Sequence, residues 1–100
     1  MHKIVYLPVA KRDLKEIVSY ISNELNSPKA ALNLINSLDE CISKLADFPF
    51  LFKEYEPLKP LLDRYRIISV KNYIVLYVVH EESVEIRRII YAKTDYEKLL

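Results

Sequence analysis

Hydrophobic residues recur along the first half of the chain at steps of three and four. Leu14, Ile17, Val18, Ile21 and Leu25 form one such stripe, with Lys11, Arg12, Lys15, Glu16 and Glu24 between them, which predicts an amphipathic helix running to about Leu25. Ala31, Leu34, Ile35, Leu38, Cys41, Ile42 and Leu45 form a second stripe and predict a helix from Pro28 to about Asp47. Between them stands Asn26-Ser27-Pro28, with Ser27 placed to cap the second helix and Pro28 at its first position, where a missing N–H costs nothing. A connection this short makes the two helices antiparallel neighbours.

Elsewhere the pattern changes to alternation. Lys3 to Leu7 reads as a short strand closed by Pro8, and strands are predicted at 64–70, 73–80 and 84–92. The links Lys71-Asn72 and Glu81-Glu82-Ser83 allow only antiparallel hairpins. The middle strand is apolar on both faces, with Tyr73, Val75, Tyr77 and Val79 on one and Ile74, Leu76 and Val78 on the other, so it is expected to be central. Strict alternation puts Val84, Ile86 and Ile90 on one face of the last strand and Ile89 and Tyr91 on the other. Phe48-Pro49-Phe50-Leu51-Phe52 is too apolar to stand in water and is expected to fold under the helices, before a proline-bounded loop from Lys53 to Pro60.

These elements compose an α+β domain, β-α-α-β-β-β, with a helical hairpin packed on one face of a small, mainly antiparallel sheet. Two helices cover one face only. The other needs a cover, either the C-terminal segment around Tyr96 to Leu100 or a protein partner.

Composition narrows the chemistry. At 100 residues, 51% hydrophobic and 29% charged, the chain suits one domain spanning 1–100. It has no glycine where an average chain would hold about seven, which excludes Gly-rich phosphate loops and nucleotide fingerprints. A net charge of +1 gives no overall field toward nucleic acid or an anionic membrane. Cys41 is the only cysteine and lies in an apolar stripe, so it is read as packing, and with His2 and His80 as the only histidines no metal or other cofactor is expected. The N-terminus lacks the apolar core of a signal peptide and no apolar run is long enough to span a bilayer, which predicts a soluble cytoplasmic protein without membrane contact.

Basic residues nevertheless cluster, as Arg64, Arg66 and Lys71 and again as Arg87, Arg88 and Lys93. Read as surface groups, the four arginines pair with Asp63, Glu85 or Glu54. Asp13 and Glu16, in a run with Lys11, Arg12 and Lys15, read as a solvated helix face. His80 reads as a surface histidine beside a carboxylate, and Tyr65, Tyr73, Tyr77 and Tyr91 as core or interface aromatics.

The chain resembles the RelE/ParE superfamily of type II toxin–antitoxin toxins, also called plasmid stabilisation proteins, over nearly its whole length. The resemblance rests on Ala10-x-x-Asp13-Leu14-x-x-Ile17-x-x-Tyr20-Ile21, Pro28-x-x-Ala31 and Leu45-x-x-Phe48-Pro49 in the helical half. The meander adds Tyr65-Arg66, Asn72-Tyr73, Tyr77, Arg88-Ile89-Ile90-Tyr91 and Lys93-x-Asp95-Tyr96. It implies a growth-arresting toxin neutralised by a cognate antitoxin that wraps its surface in a hetero-oligomer.

Members of the superfamily differ in target. The RelE-like branch cleaves mRNA in the ribosome with several strand Lys or Arg, one of them directly after the tyrosine that aligns with Tyr73. Here that position is Ile74, although Arg66, Lys93 and Tyr96 match other expected positions and would be the catalytic groups of a metal-independent endoribonuclease. The ParE-like branch poisons DNA gyrase and carries an apolar residue there, to which Ile74-Val75-Leu76-Tyr77 is similar. The resemblance therefore leans to ParE, with ribosome-dependent mRNA cleavage or a fold that only binds its antitoxin as alternatives. In either case Arg64, Arg87, Arg88, Tyr91, Leu99 and Leu100 are the residues expected to bind target or antitoxin.

Overall fold

The computed structural model describes residues 1–100 and has the predicted order of elements: β1 (Lys3–Tyr6), α1 (Pro8–Ser19), α2 (Pro28–Ser43), β2 (Tyr65–Val70), β3 (Tyr73–Val79) and β4 (Ser83–Tyr91). The strands form one sheet in the order β1-β4-β3-β2. β2, β3 and β4 make an antiparallel meander, and β1 lies parallel to β4 with Ile4 opposite Val84 and Tyr6 opposite Ile86.

Helix α1 starts on Pro8 directly after β1, but its regular turns stop at Ser19. The chain continues through a π-helical turn, Tyr20–Glu24, in which the Leu25 N–H bonds back to the Tyr20 carbonyl. This wider turn breaks the apolar stripe. Ile21 stays buried, while Leu25, expected inside, is 56% exposed. Asn26 then takes φ 50°, and the Ser27 N–H bonds to the Ile21 carbonyl, a left-handed stop that asparagine supplies in a chain without glycine. Ser27 caps α2 as predicted, its Oγ accepting from the Ala30 N–H.

The helices lie on one face of the sheet. Ala10 and Ile21 from the first helical segment and Ala31, Leu34, Leu38 and Ile42 from α2 pack on Ile68, Val70, Val75, Tyr77, Val84, Ile86 and Ile89. A second, smaller core occupies the opposite face, where Tyr65, Ile74, Leu76, Val78 and Ile90 are covered by Tyr55 and Leu61 of the long loop and by Tyr96 and Leu100. The unclaimed face is thus roofed by the chain itself.

Two further expectations are corrected. Ile89, not Ile90, shares the helix side with Val84 and Ile86, because β4 shifts register opposite Leu76/Tyr77 and inserts Arg87 as an extra residue. The aromatic segment does not fold under the helices either. Phe48, Phe50 and Leu51 are exposed, and only Pro49 and part of Phe52 are covered. The buried Tyr77 hydroxyl holds the segment by donating to the Pro49 carbonyl at 3.1 Å.

Candidate functional site

Three arginines of the meander are engaged within the molecule. Arg66 donates to the Phe52 carbonyl at 2.7 Å, and its guanidinium carbon lies 4.9 Å from the centre of the Phe50 ring. Arg87 bonds Glu85, and it also reaches Asp63 at 3.2 Å and the Tyr65 hydroxyl at 3.3 Å. These are the carboxylate partners that a surface reading of the sequence names for it. Arg64, by contrast, is exposed and approaches only Glu54, at 3.9 Å.

Arg88 overturns the reading of its partner. Asp13 is not on a solvated face but is 8% exposed, and its carboxylate accepts from Arg88 Nε at 2.7 Å and Nη2 at 2.9 Å and from the Ile89 N–H at 3.0 Å. The cause is topological. β1 ends at Tyr6, so the edge of β4 beyond Ile86 has no strand beside it, and α1 runs there instead. Asp13 takes the place of a neighbouring strand as acceptor for the edge N–H. Its hydrogen bonds are the first cause of an Arg88 pKa above the ordinary guanidinium value, opposed by burial.

The candidate catalytic groups do not converge. Arg66 sits opposite Tyr77 on the helix side, whereas Lys93 follows β4 near the level of Tyr73, four residues along β3 or about 13 Å at the rise of a strand. Tyr96 lies on the other face, its ring 5.6 Å from that of Tyr55. Leu100 packs on that face as well, and Leu99 remains 45% exposed.

What the structure does assemble is an open groove of about 760 Å³ between α1 and the end of β4. Ile17, Tyr20 and Leu25 form one wall, Tyr73 and Tyr91 the other, and Glu16 and the Asp13–Arg88 pair stand at its polar end. Tyr73 and Tyr91 meet edge to face with centroids 5.8 Å apart. Burial, then the Tyr20 and Tyr91 hydroxyls, raise the Tyr73 phenol above its ordinary pKa. Of the residues expected to bind a partner, Tyr91 and Arg88 line this groove. Tyr20, Leu25, Asp13 and Glu16 belong to it although none is expected from the sequence to bind a partner, Leu25 being read as core and Asp13 and Glu16 as a solvated face. The only sequence signal for them was the helix-one motif containing Asp13 and Tyr20.

No helix is long and apolar enough to cross a membrane. The chain matches the family model for the ParE toxin of the type II toxin–antitoxin system parDE over residues 4–96. Among solved structures it is similar to a chain of the chromosomal ParDE TA system from P. aeruginosa, with TM-score 0.75 and 18% identity over 93% of this chain and 98% of that one. A chain of the E. coli DinJ-YafQ complex gives TM-score 0.64 and 13% identity over 100% of this chain and 99% of that one. The RelB-RelE antitoxin–toxin complex from Methanococcus jannaschii gives 0.53 and 17% over 96% and 99%. At these identities the likeness to solved structures is one of fold. No curated protein matches the chain by sequence.

Proposed function

The chain belongs to the ParE toxins of type II toxin–antitoxin systems, and from that membership we propose that it arrests growth by binding and poisoning DNA gyrase and is held inactive by a cognate antitoxin. The solved relatives come from toxin–antitoxin assemblies, which supports the antitoxin half of this reading.

Ile74 carries the choice of target. A ribonuclease that works without a metal has to gather cations on the scissile phosphate. The strand position expected to supply one holds an isoleucine that is 4% exposed, built into the core beneath Tyr96 and Leu100. Arg66, whose charge is taken by the Phe52 carbonyl and the Phe50 ring, lies away from Lys93 and Tyr96. Together these features favour action by binding over cleavage of RNA.

Purified toxin added to gyrase is expected to inhibit supercoiling or to trap cleaved DNA, and the antitoxin encoded in the neighbouring reading frame is expected to reverse it. Normal supercoiling at a large molar excess of toxin rules out gyrase. Toxin-dependent mRNA cuts in a toeprinting assay on translating ribosomes would transfer the assignment to the ribonuclease branch.

A further inference from the structure

The groove between α1 and β4 has a charge as well as a shape. Asp13 and Arg88 neutralise each other within it, leaving Glu16 at the same end as an exposed carboxylate in no ion pair, with Arg12 and Lys15 lining the neighbouring hollow on its other side. Tyr20, Tyr73 and Tyr91 line the groove together with Ile17 and Leu25, with Tyr20 52% and Tyr91 43% exposed. Aromatic faces attract cations through the ring quadrupole, and the attraction grows when water is excluded.

An apolar plug would take part of the water from exposed Glu16 and offer it no partner, and an acidic one would be repelled. A long basic side chain satisfies both parts of the surface, its alkyl stem lying along Leu25 and its charged head between the tyrosines and Glu16. We propose that this groove receives a lysine or arginine side chain from the segment of the antitoxin that wraps the toxin. The proposal rests on the antitoxin reading above and assigns that partner a specific anchor.

Two measurements test it. In the first, the free toxin is titrated with butylguanidinium, and with butylurea as the neutral isostere, while the tyrosine ring signals are followed by NMR. Butylguanidinium should shift the Tyr20, Tyr73 and Tyr91 resonances saturably, and Glu16→Gln should weaken the effect by about fivefold or more, with butylurea inert. Equal binding of butylurea, or no saturable shift, overturns the cation site.

The second uses the complex with the antitoxin from the neighbouring reading frame. Glu16→Lys should raise its Kd by about tenfold or more, as expected for a partly desolvated charge pair at an interface. Glu40→Lys, the same reversal on the exposed face of α2, should change it by about twofold at most. Equal losses in the two variants, or an unchanged Kd for Glu16→Lys, overturn the anchor. Failure of the wild-type toxin to bind any such antitoxin would instead remove the function proposed above, and the butylguanidinium titration would still report on the groove.

Discussion

At the scale of single residues, the junction of Asp13 and Arg88 carries the most consequence. One carboxylate accepts two guanidinium N–H groups and the Ile89 backbone N–H, with the two side chains 10% and 19% accessible. Breaking such a pair from one side strands a charge with little water around it, which typically costs about 3 kcal/mol. Asp13→Asn is therefore expected to lower the urea midpoint strongly. Adding Arg88→Met should recover part of the loss, because the asparagine oxygen can still take the Ile89 N–H and no charge is left behind. Additive losses in the two single variants would show that the residues act independently. This pair was illegible in the sequence. Asp13 stands among Lys11, Arg12 and Lys15, which mark a wet helix face, and its true partner lies 75 positions away. The local Arg87–Glu85 contact and the His80–Glu85 approach at 3.5 Å were within reach of a reading by neighbours.

At the scale of elements, periodicity succeeded wherever the backbone stayed regular. β3 has Val75 and Tyr77 in one core and Ile74, Leu76 and Val78 in the other, as alternation requires. It failed at two insertions. The π-helical turn after Ser19 leaves Leu25 outward, and the bulge at Arg87 reverses the phase of Ile89 and Ile90. Neither leaves a mark in composition, since both answer to packing against distant segments, and together they shape the two walls of the groove. The parallel pairing of β1 with β4 was hidden for the same reason. The sequence leaves the outer face of the sheet to either the C-terminal segment or a protein partner, and the structure divides the segment's two leucines: Leu100 packs on the outer core while Leu99 is 45% exposed. Leu100→Ser should cost about 1 kcal/mol for a half-buried leucine, and Leu99→Ser less than about 0.5, measured by thermal or urea unfolding of the free protein. Equal effects would mean that the terminus does not dock as a roof.

At the scale of the whole molecule, tyrosines join the two cores, and their ionisation links the fold to pH. Burial is the first cause of raised phenol pKa values at Tyr6, Tyr73 and Tyr77, with Asp39 adding to it at Tyr6 and the Phe52 backbone and then Arg66 partly opposing it at Tyr77. An acid whose pKa is higher in the folded state than in the unfolded chain holds its proton longer when folded. Its contribution is complete below the unfolded value and is lost as pH rises through the folded one. Unfolded tyrosine titrates near pH 10, so stability should be level with respect to these groups at neutral pH and fall above about pH 10. A phenol that ionises only on unfolding contributes a slope of about 1.4 kcal/mol per pH unit, and fully buried Tyr77 is the residue expected to come nearest that limit. Tyr77→Phe should therefore do two opposite things. At pH 7 it removes the hydrogen bond to the Pro49 carbonyl and costs about 1 kcal/mol. Above pH 10 it removes a group whose ionisation favours the unfolded chain, so the difference between variant and parent should shrink. Urea unfolding at a series of pH values from neutral to above 10 measures both, and parallel curves for the two proteins would show that Tyr77 titrates alike folded and unfolded and would overturn this link.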